Sequence, residues 1–175
     1  MTEREIQHAL NKRMSRYFEV FEEVCSNDKK SRIDIVMIHK TDIGRECPIG
    51  IEVKTGAKKT GNKIGAWLKQ SSTYSEKDFI NYGKLMICTY PQITGIYLRE
   101  GTEMSQHDPE GSPNESLQNN VNTFLGSFKI GELQYYYRDS MKYYRIVFNG
   151  KLIWDEYRNI FKSKNYKRYG KNNDI

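Results

Sequence analysis

Apolar residues recur every fourth position at the start of the chain and every second position soon afterwards. In TEREIQHALNKRM, Ile6, Leu10 and Met14 form a stripe at helical spacing, which predicts a helix over residues 2–15. Thr2 and Glu5 stand at capping-box spacing before it. YFEVFEEVC predicts a strand over 17–25, SNDKK a turn, RIDIVMIH a second strand over 32–39, and IGIEVKT a third over 49–55. The intervening TDIGREC reads as a loop. A Lys- and Gly-rich loop after Gly56 leads to a helix predicted over 66–79, an apolar strand over 84–90 and a further strand over 93–100. Residues 101–112 form a polar loop. Ser112-Pro113-Asn114-Glu115 then marks a second helix start, with Leu117, Val121, Phe124 and Leu125 on one side of the helix that follows. The end is β-rich: LQYYYRD, KYYRIVF, an Asn149-Gly150 turn signal and KLIWD. The elements predict a single α/β domain with a central mixed sheet flanked by helices. Its core spans 2–100, a β-rich C-terminal elaboration 101–161, and a basic tail 162–175.

Two of these strands break their own pattern. Asp34 interrupts Ile33, Ile35 and Val36, and Glu52 interrupts Ile49, Ile51 and Val53, with Lys54 two residues on. If the strands pair antiparallel around a loop centred near residue 43, paired residue numbers sum to 86. Asp34 then faces Glu52, with their Cβ atoms about 4.5–5.5 Å apart. Lys54 shares the face of Glu52, because side chains alternate with period two. Two facing carboxylates repel. A shared proton or a lysine bridge relieves this, and a divalent cation relieves it best. Hard oxygen ligands suit Mg²⁺, which often takes only one or two carboxylates together with a substrate phosphate. Such an ion acidifies a water, and a nearby ammonium orients that water or balances charge growing on phosphorus. The plain alternative is a salt bridge from Lys54 to Asp34 or Glu52 on a half-exposed sheet.

Asp34 followed by Glu52-Val53-Lys54 in successive strands, after an acidic N-terminal helix, resembles the PD-(D/E)XK nuclease superfamily over residues 2–90. Ile33 stands where that pattern has proline. The resemblance implies a restriction-endonuclease-like core in the order helix–strand–strand–strand–helix–strand. It also implies a Mg²⁺ site (Mn²⁺ as a substitute) that hydrolyses phosphodiesters, with Asp34, Glu52 and the Val53 carbonyl as ligands and Lys54 assisting the water. A glutamate of the first helix often completes such a site. Glu3 is the candidate, since helix geometry puts it within about 20° of both Leu10 and Met14 while Glu5 points nearly the opposite way. Glu23 is its rival. WLKQSSTY resembles the Gln-x-x-x-Tyr helix of exonuclease-like branches. It makes Gln70 a candidate for holding the water or a phosphate and Tyr74 one for touching the nucleic-acid backbone; the alternative is an ordinary helix with a tyrosine in its core face.

Charge extends this picture. The chain of 175 residues carries a formal net charge of +6. Much of the excess lies in FKSKNYKRYGKNNDI, where Lys164, Lys167, Arg168 and their neighbours adjoin Tyr166 and Tyr169. Such a tail attracts phosphates and stacks on bases, or is a solvated terminus. Lys58, Lys59 and Lys63 are expected to flank a nucleic-acid groove next to the carboxylate hairpin and grip a backbone; the alternative is a flexible basic loop. The segment around Gly56–Lys63 lacks the adjacent Gly-Lys-Ser/Thr order of a nucleotide-binding loop. The tyrosines of 135–137 and 143–144 alternate with Arg138 and Arg145; they suit strands first and base stacking second. Three scattered cysteines, no close Cys or His pairs, and no secretory or membrane-length apolar run predict a cytoplasmic protein without structural zinc and without membrane partners. DNA is the expected partner, RNA the second, and homodimerisation a further expectation. Two rival functions remain: a nucleic-acid-binding or interaction module of the same fold without catalysis, and a regulatory protein whose acids only form salt bridges.

Overall fold

The computed structural model describes residues 1–55, 61–93, 115–162 and 168–171. Helix α1 (Glu3–Met14) is followed by β1 (Phe18–Cys25), β2 (Arg32–His39) and, after a short 3-10 turn at Asp42–Glu46, β3 (Ile49–Val53). Next come α2 (Gly61–Ser75), the two-residue strands β4 (Asp78–Phe79) and β5 (Gly83–Lys84), and β6 (Met86–Tyr90). The remaining elements are α3 (Glu115–Gly126), β7 (Ile130–Arg138), β8 (Met141–Phe148), β9 (Lys151–Asp155) and β10 (Ile160–Phe161). Eight strands form one mixed sheet in the order β1-β2-β3-β6-β7-β8-β9-β10, parallel at β3–β6 and β6–β7 and antiparallel elsewhere. The α/β class and the helix-flanked mixed sheet are therefore as expected. Among the described residues no helix is long and apolar enough to cross a membrane.

Alternation along the strands gives the sheet two apolar faces. Ile49, Ile51 and Val53 of β3 join Leu10 and Met14 of α1, Phe18, Met37 and Trp154 in one cluster. The opposite face packs under α2 and α3: Tyr74 meets Val36, Leu85 and Ile87, and Ile64 and Trp67 meet Leu125 and Ile130. α1 begins with the expected capping box, Glu5 N–H donating to Thr2 Oγ1 at 3.2 Å and Thr2 N–H to Glu5 Oε2 at 2.6 Å. At its other end, Arg13 closes on the buried Glu156 through two nitrogens, each at 2.7 Å, fastening α1 to the turn after β9. Such a fork pairs charge and geometry together.

Several boundaries differ from expectation. α2 starts at Gly61 rather than 66 and stops at Ser75 rather than 79. Gly65 lies on the outer side with nothing near its Cβ position, so it costs the helix only its entropy. Asp78 and Phe79 leave the helix to pair with Lys84 and Gly83. α3 buries Gln118, Asn122 and Leu125, while Phe124 is 63 % exposed and rests edge-on to Phe128 at 5.3 Å. The helix meets a polar stretch of the sheet, so its inward face is partly polar. Tyr169 does not stand ready to stack on bases: it is buried in the α1-side cluster, beside a bridge in which Gly170 pairs with Lys84. The Asn149-Gly150 turn is present with φ of 52° and 72°, the mirror-image turn that matches strand twist. Asp139 and Ser140, with φ of 50° and 63°, turn β7 into β8 in the same manner. The expected strand beyond Ile93, the loop of 101–112 and the cap at 112–114 lie outside the described residues.

Candidate active site

The β2–β3 hairpin has the register expected from its alternation. Ile35 pairs with Ile51, Val36 with Gly50 and Met37 with Ile49, so each pair sums to 86. Gly44 makes the connection fit: a Cβ there would lie 2.1 Å from the His39 carbonyl oxygen. Carried one step on, this register sets Asp34 opposite Glu52. Asp34 Oδ2 accepts the Val53 N–H at 2.7 Å, and Lys54 Nζ donates to Glu52 Oε1 at 2.8 Å. Three polar groups thus meet at the carboxyl end of β3. Val53 contributes its N–H to Asp34, and its carbonyl is the atom the family resemblance nominates.

Glu52 is only 3 % exposed. Its second oxygen, Oε2, has no hydrogen-bond partner among the described residues. Burial, then the Asp34 charge, pushes its carboxyl up to about 7 against the pull of Lys54. Asp34 is also raised, by burial first, with the Val53 N–H and Lys54 opposing and the charges of Glu23 and Glu3 adding. For Lys54, burial alone would lower the pKa. The hydrogen bond to Glu52 and the charges of Glu52, Glu3 and Asp34 outweigh it, so the amine stays protonated.

The other expected residues fall into distinct places. Glu3 lies close enough for its charge to act on all three groups. Among the described residues no set of three or more His, Cys, Asp or Glu side chains is arranged to hold a metal. Glu23 is exposed, has φ of 56° and pairs with Arg32 at 2.6 Å. Gln70 Nε2 donates to Tyr74 Oη at 2.7 Å, and burial raises the Tyr74 phenol, with Glu52 and Asp34 adding to the rise. The Tyr74 ring is in the core rather than on a surface. Lys63 is exposed in the first turn of α2. Arg168 pairs with Glu76, just past the end of α2, at 3.4 Å. Lys58, Lys59, Lys164 and Lys167 lie outside the described residues.

Sequence reasoning overlooked Thr89. It pairs with Glu52 across β3–β6, is fully buried, and its hydroxyl also has no partner among the described residues. Trp67 Nε1 and Ser71 Oγ of α2, which covers this face, are in the same condition. A threonine inside the apolar MICTY was the available signal. The donors are of the kind a hard cation takes: a buried, unpartnered carboxylate oxygen of Glu52 stands beside a second carboxylate, Asp34. Unpaired buried polar atoms are costly, on the order of 1–3 kcal/mol each, and cluster where function requires them. Comparison with protein-family models, curated proteins and solved structures finds no match for this chain.

Proposed function

We propose that this protein is a Mg²⁺-dependent deoxyribonuclease with a restriction-endonuclease-like core. One observation carries the reading: a buried carboxylate, Glu52, has one oxygen on Lys54 and the other unpartnered among the described residues, next to Asp34. The element order α1-β1-β2-β3-α2-β6 adds support, because it is the order that the resemblance implies. Asp34 and Glu52, with the Val53 carbonyl, would hold Mg²⁺ or Mn²⁺. Such an ion supplies an acidified water and neutralises a phosphate oxygen when bound. Lys54 remains an ammonium, so its part is to orient that water and balance negative charge growing on the phosphate. Asp34 is itself steadied by the Val53 N–H. Gln70 donates to the Tyr74 hydroxyl, which lies close enough to feel the site's charge.

The test is a cleavage panel of plasmid, linear, single-stranded and junction DNA, with RNA alongside, in Mg²⁺, Mn²⁺ or chelator. Asp34→Ala, Glu52→Ala and Lys54→Ala should each lower cleavage by about 100-fold or more. Full cleavage in all three variants would end the assignment. The Lys54–Glu52 ion pair favours a second reading, a binding module of this fold. That reading expects DNA to be bound but never cut.

A further inference from the structure

β7 outruns its neighbour. Thr89, near the end of β6, pairs with Glu132, yet β7 continues to Arg138 before turning into β8. Six further residues at strand rise make a ribbon of roughly 20 Å beyond that point. β3, β6 and β7 are parallel, so the ribbon projects from the same end of the sheet that holds Glu52 and Lys54. It also shares their face. Glu52, Thr89 and Glu132 are register partners in one row, and alternation from Glu132 carries Gln134, Tyr136 and Arg138 on the same side.

The chemistry of that side is aromatic and cationic. Tyr136 pairs with Tyr143 across the ribbon, their rings 5.9 Å apart. Tyr143 meets Tyr157 edge-on at 5.4 Å, and the Arg138 guanidinium lies 4.1 Å from the Tyr157 ring centre. Arg145 lies over Tyr136 at 5.2 Å. The Tyr136 hydroxyl donates to Asp155, which engages that carboxylate. Tyr157 is 49 % exposed, and Arg138 is exposed too. Tyr157 lies in the turn between β9 and β10, so strand propensity does not account for it, and its ring is half exposed under the Arg138 guanidinium. Flat rings interleaved with planar cations are what unpaired bases and their phosphates recognise.

We propose that this ribbon is a stacking platform for a single nucleic-acid strand and delivers its backbone to the Asp34–Glu52–Lys54 site. The inference rests on the reading of that site as a phosphodiesterase. The partner is a strand with unpaired bases, since ring stacking needs an open base face, whereas the duplex offers a ribbon mainly groove edges.

Binding is measured by fluorescence anisotropy of labelled oligothymidylate in chelator, where no cutting intervenes, with a mixed-sequence duplex alongside. The protein should bind the single strand more tightly than the duplex. Tyr157→Ala and Arg138→Ala should each weaken that binding by about tenfold, while Tyr157→Phe, which keeps the ring, should not. Both positions are exposed, and melting curves check that the variants fold. Unchanged binding in Tyr157→Ala and Arg138→Ala, a preference for the duplex, or no binding of oligothymidylate would each overturn the proposal. Lys54→Ala separates the two readings. Cleavage lost in Lys54→Ala with unaltered binding in the ribbon variants sinks the platform and leaves the nuclease standing. Ribbon-dependent binding with no cleavage under any metal sinks the nuclease and leaves the platform.

Discussion

Glu52 and Glu132 occupy the same row of the same sheet, with β6 between their strands, and both are buried. Their surroundings differ in kind. Glu132 takes the Ile93 N–H at 2.9 Å on one oxygen, and Asn122 and Gln134, each at 3.1 Å, on the other. Gln134 is held in turn by Arg145 at 2.9 Å, and Asn122 also reaches the Val147 carbonyl and the Gly150 N–H. Both oxygens that burial strips of water there have donors. Glu52 has Lys54 on one side and nothing on the other among the described residues. The first carboxylate ties α3 to the β7–β8 ribbon; the second keeps one oxygen unpartnered among the described residues, at a cost to stability. Burial alone therefore does not mark a functional acid. The unfilled part of its hydrogen-bonding capacity is what makes Glu52 the candidate.

This contrast is broken most severely at Glu132. Glu132→Ala strands the Ile93 N–H and two amides in the interior, and should destabilise the fold by roughly 4 kcal/mol. Denaturant unfolding with an unchanged slope checks it. Glu52→Gln should act in the opposite direction, because it removes a buried charge facing Asp34. We expect a gain on the order of 1–3 kcal/mol at pH 8 together with loss of cleavage, the trade expected of a strained site. If Glu52→Gln is as harmful to stability as Glu132→Ala, the two glutamates are not different in kind.

The smallest effect is a pH slope. The Glu52 carboxyl is raised from 4.5 to about 7 in the folded protein. Its contribution to stability is thus complete below pH 4.5 and lost as pH rises through about 7, where the folded chain must ionise a buried group. Asp34 and Glu132, both raised mainly by burial, act in the same sense. Asp28 is held down to about 2 by Ser26, Lys30 and Lys77, and so titrates below this window. The fall in melting temperature between pH 5 and 8 should shrink in Glu52→Gln, which isolates the share of Glu52 from that of the other two acids.

How much of this was legible depended on which rule governed each segment. The β2–β3 register followed from alternation and loop length alone, since a slip by one residue would have moved Ile35 or Ile51 off the α1-side face that both share. α1 and its cap were equally plain. α2 was displaced because glycines at 61 and 65 read as loop, although Ile64, Trp67, Ser71 and Tyr74 keep helical spacing toward the sheet. The face of α3 was misjudged because hydrophobicity ranks Phe124 above Gln118 and Asn122, whereas the sheet beneath presents Glu132 and Arg145. At the site, the meeting of Asp34, Glu52 and Lys54 was readable from numbering. The unpartnered Thr89 beside them was not, because which strand would lie next to β3 is a question of topology.

The central claim is that Asp34 and Glu52 together bind a divalent cation, and calorimetric titration with Mn²⁺ tests it without needing a substrate. At pH 8 the protein should take up Mn²⁺ at a site that disappears in Asp34→Ala and Glu52→Gln, and the affinity should weaken as pH falls through 7 and Glu52 takes up its proton. Mn²⁺ uptake that is absent from the intact protein, or that persists unchanged in both variants, would contradict the account.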